Sequence, residues 1–165
     1  MKESFNIIIK DDFLNQNLYK KIYKEIETYT YLPKHHVSSA RNHFWYACKV
    51  QDNLKKIIKN KCEKIFNKKF KTMLCDYTMV ASVEPFAHCD IATSDYQIIV
   101  YIKGNTDLHK GTGFYLNNEL NTHVGFNENR AILWKSNAVH SPLNWASDDK
   151  SKRFSIISQL KEIKD

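Results

Sequence analysis

Apolar residues in the first seventy positions recur with the period of an α-helix. The first stripe repeats every four positions and consists of Leu14, Leu18, Ile22 and Ile26. Asp11 or Asp12 is available to cap the start of this helix. A second stripe follows Asp52 and consists of Leu54, Ile57, Ile58, Cys62, Ile65 and Phe66. The pattern therefore predicts two amphipathic helices in this part of the chain.

After about residue 70 the pattern changes to short strands separated by turns. The predicted strands are residues 72–83, 96–102, 112–116, 130–135 and 153–160, together with an earlier aromatic-rich strand at 42–50. All four glycines fall in this later part, and the sequence FNENR at 126–130 is typical of a tight hairpin turn. Helices followed by many short strands favour an α+β, mainly β fold, with the helices packed on one face of an antiparallel sandwich or barrel.

Length and composition favour one folded domain. The chain has 165 residues, of which 42% are hydrophobic and 13% aromatic, which excludes a disordered chain. We expect a single domain over 1–165, with a mostly helical part at 1–70 and a barrel core at 71–160. The aliphatic run Ile7–Ile9 is too short for a signal peptide or a membrane span, so we expect a cytoplasmic protein without membrane contact. Four cysteines without a C-x-x-C pair suggest reduced thiols.

Positive charge is concentrated in the helical part. Residues 1–71 carry 16 Lys or Arg against 7 Asp or Glu, whereas residues 72–165 carry 9 against 11. Such a surplus is compatible with a face that binds nucleic acid or an acidic partner. The lysines are scattered and form no tight block, so solvated lysines on amphipathic helices are the simpler interpretation.

The triplet His88-Cys89-Asp90 is the first candidate for chemistry. Chance readily produces an H-x-D triplet, but side chains alternate along a strand, so His88 and Asp90 are expected on one side and Cys89 on the other. An imidazole and a carboxylate are two ligands of the facial triad of non-haem Fe(II) sites, which needs a second histidine. His140 follows a predicted strand and fits this position. His109 and His123 are competitors, although each is more typical of a surface histidine.

A polar pair in the last predicted strand is the second candidate. Alternation places Arg153 and Ser155 on one face of this strand and Phe154 and Ile156 on the other. An arginine within an apolar strand is unusual unless it is paired, and its planar group binds a carboxylate through two hydrogen bonds. A solvent-exposed arginine at the start of the strand is the alternative.

Four segments in this order resemble the Fe(II)/2-oxoglutarate-dependent dioxygenases of the prolyl-4-hydroxylase-like group. They are AHCD at 87–90, YQIIVYIK at 96–103, GTGFYLN at 111–117, and RAILWKSNAVHSP with RFSII at 130–142 and 153–157. The opening IIIKDDFLNQNLYKKIYKEI at 7–26 is similar to the start of that group as well. The resemblance covers about residues 12–160 and implies a double-stranded β-helix, the jelly roll of the cupins, with the N-terminal helices packed on one sheet.

The resemblance also implies roles for individual residues. His88, Asp90 and His140 would bind iron. Arg153 would pair with the distal carboxylate of 2-oxoglutarate, and Tyr101 and Ser155 would donate hydrogen bonds to the same carboxylate. The implied cofactors are Fe(II), 2-oxoglutarate and O2, with ascorbate as a further reductant. The implied reaction hydroxylates a C–H bond of a peptidyl residue, an amino acid or a small molecule and releases succinate and CO2.

Several features of the sequence depart from this group or leave alternatives open. The interval between His140 and Arg153 is longer than usual, and Lys152 is a rival for the carboxylate. Trp134 and Trp145 flank the distal histidine; core packing is the simpler role for both, but Trp145 is a candidate substrate contact in a loop. A metal-binding cupin-like protein without oxygenase activity, or a nucleic-acid dealkylase of the same superfamily, would share the barrel and its ligands.

Overall fold

The computed structural model describes residues 6–34, 44–82, 87–143 and 152–164. It contains the two predicted helices, α1 (Gln16–Glu25) and α2 (Asp52–Phe66), and a short 3-10 turn, Ile26–Thr28, that continues α1. The strands are β1 (Ile8–Lys10), β2 (Leu32–Lys34), β3 (Phe44–Lys49), β4 (Phe70–Ser82), β5 (Tyr96–Lys103), β6 (Gly111–Leu116), β7 (Glu119–Gly125), β8 (Ala131–Lys135), β9 (Val139–Leu143) and β10 (Arg153–Glu162). Within these residues no helix is long and apolar enough to cross a membrane.

Two antiparallel sheets form the barrel. The large sheet has the strand order β1-β8-β5-β10-β4-β3-β2, and the small sheet has the order β7-β6-β9. An isolated bridge between His88 and His140 extends the small sheet beyond β9. Consecutive strands alternate between the sheets from β5 to β10, apart from the β6–β7 hairpin, so the chain winds as a double-stranded β-helix. This confirms the predicted fold class.

The inner strand β5 of the large sheet is buried on both faces and separates two apolar clusters. Ile98, Val100 and Ile102 pack against residues of α1 and α2, which confirms that the helices cover one face of the large sheet. Ile99 and Tyr101 point the other way, into the interior between the two sheets. We call this second set of residues the interior cluster; its members are Val80, Ile99, Tyr101, Phe114, Val124, Phe126, Ile132, Trp134 and Ala138.

The predicted cap of α1 is wrong. The side chain of Asn15, and neither Asp11 nor Asp12, accepts the hydrogen bond from the backbone N–H of Leu18, at 2.9 Å. Asp11 instead forms two hydrogen bonds with Arg130, at 2.6 and 2.9 Å. This long-range ion pair holds the preceding turn against the β7–β8 connection, so the helix begins several residues later than the charge pattern suggested.

The prediction of a hairpin at 126–130 is wrong, because this turn connects β7 and β8, which belong to different sheets. Within the turn, Asn129 makes the link to the start of α1, and its removal tests this link. Its side chain accepts from the N–H of Leu14 at 2.9 Å and donates to the Leu14 carbonyl at 2.8 Å, in a buried environment. Asn129→Ala leaves both backbone groups without partners, so we expect the free energy of unfolding to fall by about 1–3 kcal/mol in urea denaturation.

Asn118→Ala is the matched control for Asn129→Ala. Asn118 has a similar left-handed backbone, with φ of 66° against 59° for Asn129, but its side chain is exposed. Both variants therefore carry the same backbone penalty for alanine, and the difference between them reports the two buried hydrogen bonds. Equal losses of stability in the two variants would show that these bonds contribute nothing.

Candidate metal centre

His88, Asp90 and His140 converge on one point at the edge of the small sheet. Oδ2 of Asp90 lies 3.8 Å from Nε2 of His88 and 3.7 Å from Nε2 of His140. One ligand atom from each residue lies within 4.8 Å of those of the other two. Cys89 is exposed, so the expected alternation of side chains around this triplet is observed.

Backbone hydrogen bonds hold the three residues together. His88 and His140 exchange a pair of N–H···O bonds of 3.0 and 2.9 Å, which forms the bridge between them. The N–H of Asp90 donates to the carbonyl of Ser136 at 3.1 Å. Residues 52 positions apart in the chain are thus clamped directly through the main chain. The segment around His88 makes only this bridge and is not a regular strand, unlike the expectation from the sequence.

Neighbouring groups fix the orientation and charge of the side chains. Nδ1 of His140 lies 3.0 Å from the Ala138 carbonyl, which requires the proton on Nδ1 and leaves Nε2 unprotonated, 3.7 Å from Oδ2 of Asp90. Burial, reinforced by the neighbouring His88, lowers the pKa of His140 to about 4, so its imidazole is neutral at neutral pH. The buried amide of Gln97 donates to Oδ2 of Asp90 and fixes the carboxylate.

The donor set fits a divalent transition metal. Two imidazole nitrogens and one carboxylate oxygen are the ligands of non-haem Fe(II) sites that keep open positions. Metal–ligand bonds of about 2.1 Å place adjacent ligand atoms about 3 Å apart. The two separations from Oδ2 of Asp90, 3.7 and 3.8 Å, exceed this value by less than 1 Å, and all three ligand atoms lie within 4.8 Å of one another, so the side chains would have to close inward to bind an ion.

A second polar group lies deeper between the sheets, around Arg153. Arg153 is 2% exposed, its Nη1 donates to the Gly111 carbonyl at 3.1 Å, and its guanidinium lies 5.6 Å from the centre of the Tyr101 ring. The hydroxyl of Tyr101 is 2.6 Å from Oγ1 of Thr112. Ser155 is the direct neighbour of Tyr101 on the adjacent strand, and its buried Oγ has no hydrogen-bond partner within the described residues.

Electrostatics at this group favour a bound anion. Burial lowers the pKa of the Arg153 guanidinium and raises the pKa of the Tyr101 phenol, because it disfavours the charged form of each. The phenol is therefore a neutral donor at neutral pH. A carboxylate beside the guanidinium would favour its charged form. The arrangement offers a buried cation together with hydroxyl donors.

Gly111 provides the carbonyl that Arg153 contacts. The backbone conformation at this position explains why the residue is a glycine. Its φ of 153° is one that residues with side chains rarely adopt. A Cβ atom at this position would lie 2.0 Å from the carbonyl oxygen of Val124. The glycine therefore lets β6 and β7 approach each other closely where the guanidinium docks.

The competing residues of the sequence analysis lie outside these two groups. His109 and His123 are both exposed, and neither joins the cluster of His88, Asp90 and His140. Lys152 is exposed, in contrast to the buried Arg153 beside it. Trp145 lies outside the described residues, so its predicted contact with substrate stays a prediction.

Thr112 and Gln97 belong to the two groups but were missed from the sequence. Thr112 stands between Gly111 and Gly113 in a short strand, and a hydroxyl flanked by glycines could have pointed to it. Gln97 is the one amide in the apolar strand YQIIVYI, which is the same kind of signal that identified Arg153. Both lie on the inward face of their strands, which only the pairing of the sheets reveals.

Comparison with known proteins bears on the fold. No protein-family model and no curated protein sequence matches the chain. In structure it is similar to a Trichoplax adhaerens prolyl hydroxylase solved with a hypoxia inducible factor oxygen degradation domain peptide, with a TM-score of 0.72 and 10% identity over 96% of this chain and 84% of that one. A Pseudomonas putida prolyl-4-hydroxylase gives a TM-score of 0.67 and 10% identity over 96% and 94%.

A third similar structure is that of HygX from Streptomyces hygroscopicus with nickel, 2-oxoglutarate and hygromycin B bound. Its TM-score is 0.68 at 7% identity, over 95% of this chain and 83% of HygX. The chain thus has the fold of the prolyl hydroxylases and other 2-oxoglutarate/Fe(II) oxygenases. The fold that the sequence resemblance implied is confirmed.

Proposed function

We propose that this protein is an Fe(II)- and 2-oxoglutarate-dependent dioxygenase that hydroxylates a C–H bond of a peptidyl residue, an amino acid or a small molecule. The observation that carries this proposal is the presence of a His–Asp–His cluster and a buried arginine in the wall of the same interior. The similar structures support a peptidyl or a small-molecule substrate, since one holds a peptide and another holds hygromycin B.

His88, Asp90 and His140 would hold the iron. Three protein ligands leave further coordination positions open, and the bound iron would supply the chemistry that activates O2 and oxidises the 2-oxo acid to succinate and CO2. The protein keeps Nε2 of His140 unprotonated through the hydrogen bond of Nδ1 to Ala138. It keeps the carboxylate of Asp90 oriented through Gln97.

Arg153 would bind the distal carboxylate of 2-oxoglutarate, with Tyr101 and Ser155 as hydroxyl donors. The guanidinium is buried, whereas Lys152, the rival cation, is exposed. Thr112 would hold the Tyr101 hydroxyl in place through their 2.6 Å contact. Apolar neighbours such as Ile99 and Phe126 exclude water and strengthen the ion pair.

This second group separates the proposal from its alternatives. A cupin-like metal protein without oxygenase activity needs no buried arginine, phenol and serine that converge on a carboxylate. A nucleic-acid dealkylase would use the basic helices to follow phosphates. However, α1 and α2 pack on the face of the large sheet opposite to the interior cluster, so their exposed lysines lie away from the metal centre.

The assay for the proposal measures succinate formed from 2-oxoglutarate in the presence of Fe(II), O2 and ascorbate. An anaerobic titration of the Fe(II)-loaded protein with 2-oxoglutarate should also give the visible charge-transfer band of a 2-oxo acid chelated to iron. The band does not require the unidentified prime substrate. Its absence, together with the absence of succinate, would refute the dioxygenase proposal.

Replacement of Gln97 by leucine is expected to weaken Fe(II) or Mn(II) binding by about 10–100-fold, because Asp90 loses the donor that orients it. The measurement is the dissociation constant of the metal by calorimetry. Gln159→Leu is the control, since Gln159 pairs with Gln97 across the neighbouring strand but accepts its hydrogen bond from Thr93. Equal metal affinity in both variants would exclude this role for Gln97.

A further inference from the structure

The indole N–H of Trp134 is buried and has no hydrogen-bond acceptor among the residues that the structure describes. Trp134 is 3% exposed, and no described residue accepts from its Nε1. A buried tryptophan normally finds a partner for this group, and a buried donor without one is costly. Packing alone does not explain a tryptophan here, because phenylalanine or leucine would fill apolar space without that cost. The N–H therefore indicates an acceptor that arrives with a ligand.

Trp134 lies beside the metal centre. It belongs to the interior cluster, and its ring packs edge-on against His140 and Phe114, with centroid separations of 5.0 and 5.4 Å. Its direct neighbour on the adjacent strand is Gln97, whose amide holds Asp90. Trp134, on β8, thus adjoins both His140 and Gln97. Its partner Gln97 lies near one end of β5, whereas Tyr101, which contacts Arg153, lies near the other end.

We propose that the Trp134 N–H donates a hydrogen bond to the carboxylate of the 2-oxo acid that lies next to the metal. This inference rests on the proposed function, because it assigns a residue to the near end of the co-substrate that Arg153 would hold at the far end. The acceptor is a carboxylate because an anionic oxygen forms the stronger hydrogen bond with a neutral donor in a buried site. Its location deep between the sheets favours the co-substrate over a substrate that enters from outside.

The inference predicts different behaviour for two ligands. Pyruvate has the 2-oxo acid end of 2-oxoglutarate but lacks the distal carboxylate. A contact at the near end is made to both acids, whereas a contact at the far end is made to 2-oxoglutarate alone. Loss of the Trp134 N–H should therefore weaken both acids by a similar factor, and loss of the Arg153 guanidinium should weaken 2-oxoglutarate only.

The experiment measures anaerobic binding of each acid to the Fe(II)-loaded protein through the charge-transfer band. In one variant Trp134 is replaced by 3-benzothienylalanine, which keeps the shape of the ring and has sulfur in place of N–H. Trp134→Phe is the second variant, in case the first is poorly produced. We expect both acids to bind about tenfold more weakly in each variant, with the affinity for Mn(II) alone unchanged.

Phe114→Leu controls for packing, since it disturbs the same ring contacts and leaves the N–H in place. A loss of affinity for pyruvate in Phe114→Leu as large as that in the benzothienyl variant would overturn the inference. Unchanged affinities in the benzothienyl variant would also overturn it, and so would weakened binding of 2-oxoglutarate alone. If the wild-type protein gives neither the metal-dependent band nor succinate, the proposed function itself has failed. The two failures are thus distinguishable.

Discussion

Replacement of His140 by alanine is expected to abolish succinate formation and to weaken binding of Fe(II) or Mn(II) by more than about 100-fold. The loss should exceed the effect of removing an outer-shell partner, which is typically about 10–100-fold, because His140 would be a direct ligand. The surroundings of His140 suit this proposed role, since burial lowers the pKa of its imidazole and Nδ1 donates to the Ala138 carbonyl. The measurement is metal calorimetry with the succinate assay.

His123→Ala is the control for His140→Ala. His123 lies on β7 of the same small sheet but is exposed and outside the cluster. It should bind metal and turn over as the wild type does. We expect His140→Ala to fold, because the bridge to His88 is made by main-chain atoms that alanine retains. Circular dichroism checks this. A folded His140→Ala protein with wild-type metal affinity would remove this residue from the site.

Replacement of Arg153 by glutamine is expected to weaken 2-oxoglutarate binding by about 100-fold while metal affinity is retained. A hydrogen-bonded charge pair in a buried site is worth several kcal/mol when one partner is removed. Glutamine is shorter than arginine by the two bonds from Nε to Nη1, so the variant should lose both the charge and the hydrogen bond to the Gly111 carbonyl, while it keeps more of the packing than alanine would. The measurement is the anaerobic titration with 2-oxoglutarate.

Lys152→Gln is the matched control, because it removes one positive charge from the adjacent but exposed position. Its affinity for 2-oxoglutarate should equal that of the wild type. A large effect of Lys152→Gln with none for Arg153→Gln would transfer the carboxylate contact to the lysine. Metal affinity serves as the internal check, since the His–Asp–His cluster does not include Arg153.

The sequence by itself predicted the elements that local patterns encode. The helical periodicity of the apolar residues predicted both helices, and short strand-forming runs separated by turns predicted β4, β5, β6, β8 and β10. Alternation also separated Arg153 and Ser155 from Phe154 and Ile156, and the structure places these pairs on the interior and helical faces of the large sheet. These predictions succeeded because each depends on residues close together in the chain. The single domain over 1–165 stays a prediction.

Local patterns were weaker where long-range contacts decide the conformation. The cap of α1 is Asn15 because Asp11 is held by Arg130, which lies 119 positions away. The strand β9 around His140 was not predicted, because its short polar sequence becomes a strand only through pairing with β6. Strand pairing also sets the positions of Gln97, Thr112 and the Trp134 N–H.

The sequence determined which residue types were available for chemistry, and the tertiary structure decided which of them meet. An H-x-D triplet and three downstream histidines were all visible in the chain. The sequence favoured His140 over His109 and His123 because it follows a predicted strand, but it could not show which histidine meets the triplet. The choice follows from the two backbone hydrogen bonds between His88 and His140, which bring residues 52 positions apart to adjacent points on one sheet. Sheet pairing is a property of the whole fold, so this juxtaposition belongs to the structure alone.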